Sequence, residues 1–306
     1  MNNLSIRSSL KNQPAVRRVL AALTYVALGA LPATVSAQIY VSTENGTTVG
    51  EYTSAGATVN ASLISGVSQP QGILISRGNI YVAGYNAGTI GEYTSAGVPV
   101  NTALISGLSH PYCIALSGGN LFVANWTSGT IGEYTLSGAT INASLVSGLD
   151  GPVGIAVSGD DLFVANRVSG TIGEYTTDGS TVNASLVSGL YTPNDLAVSG
   201  EDIYVTSLYG NTLGEYTTDG ATVNADLISG LDTPDGIALM GGDIYVANFT
   251  SGTIGEYTMD GTTVNTALVS GLTGPGAIDV EATPEPTTLA LAGLGGLSLL
   301  LARRRK

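Results

Sequence analysis

One spacing constrains this chain more than any other: a 41-residue unit returns without a slip. Ile-Tyr-Val or Leu-Phe-Val begins at residues 39, 80, 121, 162, 203 and 244. Gly-Glu-Tyr-Thr begins at 50, 91, 132, 173, 214 and 255, and a proline stands at 70, 111, 152, 193, 234 and 275. A register this strict leaves no room for an insertion or an interdomain linker, so the repeats form one array.

Each unit holds four short runs rich in β-branched or aromatic residues and bounded by Gly, Asn, Asp and Ser. In the unit that begins at Pro111 they are CIALS, LFVAN, TIGEYT and TINASLVSG. These are strand signals, and the SAG, TDG and MDG links suit hairpins that need a positive φ. No amphipathic helical segment appears between residues 38 and 283. Four antiparallel strands per 41 residues match a propeller blade, whereas a solenoid of short parallel coils has shorter periods and no need of hairpin turns. The ends of the array decide the matter. The first three strands, from Ile39, have no leading strand before them, and the last leading strand, Gly276 to Val280, has no trio after it. Joined, they make one blade and close a ring of six, hiding the edges an open array would expose. The expected fold is all-β: a six-bladed propeller, four antiparallel strands per blade, closed by three N-terminal strands and a C-terminal inner strand. Gly50, Gly91 and their equivalents are expected where neighbouring blades approach closely. The tyrosine of GEYT is expected to fill an interblade gap, and its glutamate to serve structure, since a catalytic group is not needed six times.

Charge is distributed unevenly. Residues before 38 carry four bases and no acid, and the last four residues are all basic. The segment between holds all 23 acids and two bases, Arg77 and Arg167, a net charge of −21. Such a body repels phosphate backbones, which excludes nucleic acid as a partner. The basic start, the apolar run from Val19 to Leu31 and the small residues Val35-Ser36-Ala37 before Gln38 describe a signal peptide over 1–37. The repeat body then spans 38–282, and 283–306 forms a tail. Cys113 is the single cysteine, so no internal disulfide framework exists.

The tail resembles the PEP-CTERM sorting signals of bacterial envelope proteins: Pro284-Glu285-Pro286, an apolar segment from Leu289 to Ala302, then Arg303 to Lys306. That resemblance implies an exosortase-type sorting enzyme as partner, with delivery to the envelope, cell surface or extracellular matrix after C-terminal processing. The apolar segment is short for a full membrane span. The pattern P-x-G-I-A-V-x-G-x-x-I-Y-V-A-N, clearest at Pro152–Val157 and Pro234–Leu239, resembles NHL-type propeller repeats, and the IGEYT portion resembles streptogramin-lyase-like propellers. Enzymes and binding modules share these motifs, so they speak for fold before function.

Comparing the copies with one another isolates the positions free of the blade's demands. One set follows the second strand: Glu44, Tyr85, Trp126, Arg167, Leu208 and Phe249. The other surrounds the proline, where Gln71, Tyr112, Val153, Asn194, Asp235 and Gly276 come next. In a four-stranded blade both links emerge on one face. That face is expected to bind, through Tyr85, His110, Tyr112, Trp126, Arg167, Tyr191, Asp195 and Phe249. His110 is the only histidine. The leading expectation is a non-enzymatic surface or matrix propeller that binds a surface polysaccharide or an envelope protein, with no cofactor. The alternative is a propeller hydrolase or lyase with an axial divalent ion held by oxygen ligands such as Asn125, Asn166, Asn248 and Asp195, a placement similar to that in propeller lactonases.

Overall fold

The structure, a computed structural model, describes residues 37–281. The signal segment and the apolar tail therefore lie outside the described residues. Within them, 24 strands form six four-stranded antiparallel sheets. A representative blade runs from the axis outward through β4 (Pro70–Ser76), β5 (Asn79–Gly84), β6 (Thr89–Thr94) and β7 (Pro99–Ser106). One blade is composite. Its inner strand is β24 (Pro275–Glu281), followed by β1 (Gln38–Thr43), β2 (Thr48–Thr53) and β3 (Thr58–Ser65). The pairing runs from Gln38 opposite Glu281 to Thr43 opposite Pro275. The ring is thus closed by the N-terminal trio and the C-terminal strand.

Burial follows from the wedge geometry. Second strands are buried on both faces, because a blade covers each side, and they read as unbroken apolar runs. Outer strands alternate nothing and are exposed over most of their length. Core clusters form between blades: Tyr40, Val49 and Ile64 of the composite blade pack with Ile73, Ile80, Val82 and Tyr93 of the next. The GEYT tyrosine fills the interblade space as expected.

The glycine of GEYT has another reason. A Cβ on Gly132 would stand 2.7 Å from both Cε2 and Oη of Tyr134, in its own strand. The glycine makes room for the tyrosine two residues on, which shares its face of the sheet. The close approach between blades belongs instead to inner-strand glycines such as Gly72, whose Cβ would stand 2.7 Å from the Tyr112 carbonyl oxygen. The glutamate of GEYT bonds inside its blade. Glu92 Oε1 accepts from Asn79 Nδ2 (2.8 Å) and Tyr81 Oη (3.3 Å), and Glu256 Oε1 accepts from Tyr245 Oη (3.0 Å).

Gly132→Ala drives a methyl into a packed ring, so it should destabilise the body by about 1–3 kcal/mol. Calorimetry should show a melting temperature lower by several degrees, and an unchanged value would contradict this role.

Candidate functional site at the axial mouth

The face carrying the variable links is built on one backbone contact repeated around the ring. The residue before each proline has a positive φ: Gln69 (52°), His110 (55°), Gly151 (68°), Thr192 (50°), Thr233 (57°) and Gly274 (58°). For the four non-glycine residues this is a strained conformation, the more so before proline. It directs the carbonyl at the neighbouring link, where it accepts the N–H of the variable residue. His110 O accepts from Trp126 N (3.1 Å), Gly151 O from Arg167 N (2.9 Å) and Gly274 O from Glu44 N (2.9 Å). Gln69, Thr192 and Thr233 serve Tyr85, Leu208 and Phe249 in the same way. A uniform backbone thus carries six different side chains on this face.

Three of the variable side chains, Tyr85, Trp126 and Phe249, lie over the pre-proline residue of the following link. Trp126 covers Gly151 and Phe249 covers Gly274: a Cβ on either glycine would fall 2.7–3.0 Å from the ring. Where the residue is a histidine, the same relation becomes a stack, with the Tyr85 and His110 rings 4.6 Å apart. Thr127 Oγ1 lies 2.7 Å from His110 Nδ1 and holds the imidazole in place. Tyr112 meets Tyr85 edge-on at 6.1 Å and lies 6.4 Å from Trp126. Arg167 extends over both rings, 4.9 Å from the Tyr112 centroid and 5.3 Å from that of Trp126, and its Nη2 donates to Tyr112 Oη (2.6 Å). Of the residues singled out by sequence, Tyr85, His110, Tyr112, Trp126 and Arg167 therefore form one group. Tyr191 stands apart on the rim, 65% exposed, and Phe249 lies against the composite blade.

Beneath this group is a ring of the residues that follow the prolines. Gln71, Tyr112, Val153, Asn194 and Asp235 contribute side chains, and Gly276 contributes none. Glu44 takes the sixth place: its Cγ and Oε1 lie 2.6 and 2.8 Å from where a Cβ on Gly276 would be. Four consecutive blades thus present Gln71, Glu44, Asp235 and Asn194, a polar arc opposite Tyr112 and Val153. Two hydroxyls hold the arc's backbone, at positions where the other blades have alanine. Ser42 Oγ donates to Gln71 O (2.9 Å) and Thr206 Oγ1 to Asp235 O (2.8 Å), both fully buried.

Burial first, and the neighbouring Asp235 second, raise Glu44 well above the usual carboxylate range. Asp235 is also raised by burial, against the pull of Arg167, Glu44 and Asn194. Burial and the proximity of a second carboxyl both disfavour two negative charges on this pair. The sequence reading passed over Glu44 and Asp235. The signal was present, since Glu44 is the one acidic variable residue and faces the one glycine among the post-proline residues.

Asp195 lies one layer deeper. Its oxygens accept Leu196 N (2.9 Å) and Ile237 N (3.2 Å), the second in the next blade. Asp279 does likewise with Val280 N (2.8 Å) and Ile75 N (2.7 Å). Both tie adjacent inner strands that make no ladder of their own. Cys113 is half-buried there, its thiol 3.9 Å from the Ile114 and Ile155 carbonyls, and burial pushes its pKa up.

The axial divalent ion does not fit these residues. Asn125 Nδ2 bonds Thr130 Oγ1 (3.5 Å), Asn166 Nδ2 bonds Thr171 Oγ1 (3.5 Å), and Asn248 Oδ1 accepts Asp232 N (3.2 Å). Asn248 Oδ1 and both Asp195 oxygens are thus taken by backbone N–H groups, which leaves only the buried Oδ1 atoms of Asn125 and Asn166 without a partner, too few oxygens to hold an ion. Among the described residues no three His, Cys, Asp or Glu side chains form a metal set. At the mouth, the carboxyl pair already faces a cation, Arg167.

Comparison with known proteins decides the family: the virginiamycin B lyase family matches residues 26–257. The chain belongs to that family. A PEP-CTERM protein-sorting motif matches residues 282–306, which include Pro284, Glu285 and Pro286. The motif marks the chain for export and for the cell surface or envelope after C-terminal processing, with an exosortase-type sorting partner. Among the described residues no helix is long and apolar enough to cross a membrane. No curated relative matches the chain. Among solved structures, a chain of a nidogen/laminin complex is similar at TM-score 0.69 and 15% identity, over 81% of this chain and 98% of that one. A catalytically inactive histidine-to-alanine virginiamycin B lyase from Staphylococcus aureus with quinupristin is similar at TM-score 0.56 and 24% identity, over 69% and 73%. A protein of unknown function from Bacteroides caccae is similar at TM-score 0.65 and 15% identity, over 81% and 100%. These likenesses describe the fold.

Family membership overturns the expectation of a non-enzymatic binding propeller and favours the enzymatic alternative in its lyase form. The physical reason is visible in the site. Periodic sameness belongs to the scaffold and hides the departures from it. Those departures gather at one mouth of the axis, where unlike polar groups meet with shifted ionisation.

The buried aspartates impose a pH dependence. Burial pushes Asp195 up to about 7 and Asp279 up to about 6, although backbone N–H bonds pull both down. The folded protein therefore holds protons that the unfolded chain, with Asp near 4, has released. Stability should be greatest on the acid side of this window and fall as pH rises from about 4 through about 7, and Glu44, raised to about 9, carries the fall further. Melting temperatures at pH 5 and pH 8 should differ accordingly, and Asp195→Asn should narrow the difference; an equal difference in the variant would contradict the assignment.

Proposed function

We propose that the propeller body is a lyase acting at the axial mouth of its variable face, with His110 as general base. The observation that carries this reading is the convergence of a histidine, an arginine, a phenol and two carboxyls on one mouth, in a chain that belongs to a lyase family. A lyase takes a proton from one atom and releases a leaving group from its neighbour without adding water. It needs a base and a partner for the departing negative charge. In the tautomer that sets Nδ1–H toward Thr127 Oγ1, the Nε2 of His110 carries the lone pair. It takes the substrate proton, the C–H electron pair becomes the new double bond, and the departing group leaves with its bonding pair. Arg167, held over Tyr112 and Trp126, receives that anion. The S. aureus relative whose histidine-to-alanine form is catalytically inactive supports a histidine in this role.

Quinupristin is the first substrate to test. Elimination products together have the mass of the substrate, whereas hydrolysis products carry one added water. His110→Ala should lower turnover by about 10²–10⁴-fold with an unchanged melting temperature, since the ring is exposed. Full activity in the variant, or products heavier by one water, would refute the reading.

A further inference from the structure

We propose that the polar arc below the mouth is a subsite for a primary ammonium group. The inference deepens the lyase reading, on which it rests for calling the ammonium part of the substrate.

The first argument is an amide whose orientation leaves no choice. Asn194 is 1% exposed. Its Nδ2 faces two acceptors of one residue, the carbonyl oxygen of Asp235 (3.2 Å) and Asp235 Oδ1. Turning the amide over would set oxygen against oxygen, so the NH2 must point there. Asn194 Oδ1 is then left buried with no donor. Glu44 Oε1, beside Asp235, is likewise buried without a donor. Buried acceptors of this kind are costly to leave unmade. Asn194, Asp235 and Gln71 line an axial cavity of about 20 Å³, room for a single water-sized group.

The second argument is which group fits. An alkylammonium head is water-sized and carries three donors and no acceptor. It can donate to Asn194 Oδ1 and to the Asp235 carboxylate, both of which line the cavity, while Glu44 stands beside Asp235 and adds its carboxyl to the attraction. A guanidinium is too broad for the cavity, and a quaternary ammonium has no N–H to donate. A calcium ion needs six to eight oxygens, more than these side chains supply, and Arg167 opposes a second cation of higher charge. The alkyl part of the ligand would lie against Tyr112 and Val153, the less polar half of the ring.

Titration of the full chain with n-butylammonium, followed by calorimetry, tests this. Saturable binding with a Kd of about 1–10 mM is expected, with tetramethylammonium at least about tenfold weaker. Glu44→Gln, close in shape to the protonated acid, and Asn194→Leu should each weaken binding by about tenfold or more; an unchanged melting temperature in Glu44→Gln shows that the fold is retained. No saturation by about 100 mM, equal binding of tetramethylammonium, or calcium competing at lower concentration would overturn the proposal. The two readings fail separately. Ammonium binding without turnover would leave the subsite standing and sink the lyase, and turnover without ammonium binding would do the reverse.

Discussion

Pairing of β1 with β24 is the contact on which the rest of this protein depends. It joins residue 38 to residue 281 and gives the composite blade its inner strand. A five-and-three-quarter ring would present two unpaired edges and leave interblade apolar surface uncovered on both sides of the gap. The same closure completes the site. Glu44 reaches its place because its N–H bonds Gly274 O and because Gly276 has no side chain to exclude it. Its neighbour Asp235 comes from the adjacent blade, nearly two hundred positions along the chain. Ring closure and site assembly are therefore one event.

The site's chemistry is possible because backbone and side chain are decoupled. Six equivalent carbonyl–amide bonds, each relying on a positive φ before proline, fix where the variable residues emerge. Four of the six positions hold that conformation without glycine, a local strain that the surrounding ring maintains. With the backbone settled, each side chain is free to differ. Three blades bring Tyr85, His110, Tyr112, Trp126 and Arg167 together, and four bring the polar arc. The two carboxyls of the arc are tolerable in burial because burial favours their neutral forms and because they face Arg167.

Much of this was legible before any coordinates. Blade number, strand order and the mode of closure follow from a period that never slips and from one unit split between the ends. The variable face follows from alternation of links along an antiparallel blade, and five of its eight named residues do meet. The glycine of GEYT was misplaced, because sequence shows that a small residue is required without showing whose atoms require it. Glu44 and Asp235 were passed over for a related reason: each looks like one more acid in an acidic chain, and only their approach across the closing blade makes them a pair. Asp195 was expected on the binding face, yet its carboxyl ties inner strands together rather than facing the mouth.

The sequence by itself determined the architecture, since periodicity is a property of order along the chain and six equal units can satisfy their edges only by closing. It also determined which positions the fold leaves free. Tertiary structure alone decided what those positions do together. Ionisation, stacking and unpartnered acceptors depend on distances between side chains from different blades, and a repeat that places every copy in the same environment cannot reveal which copies face one another across the axis.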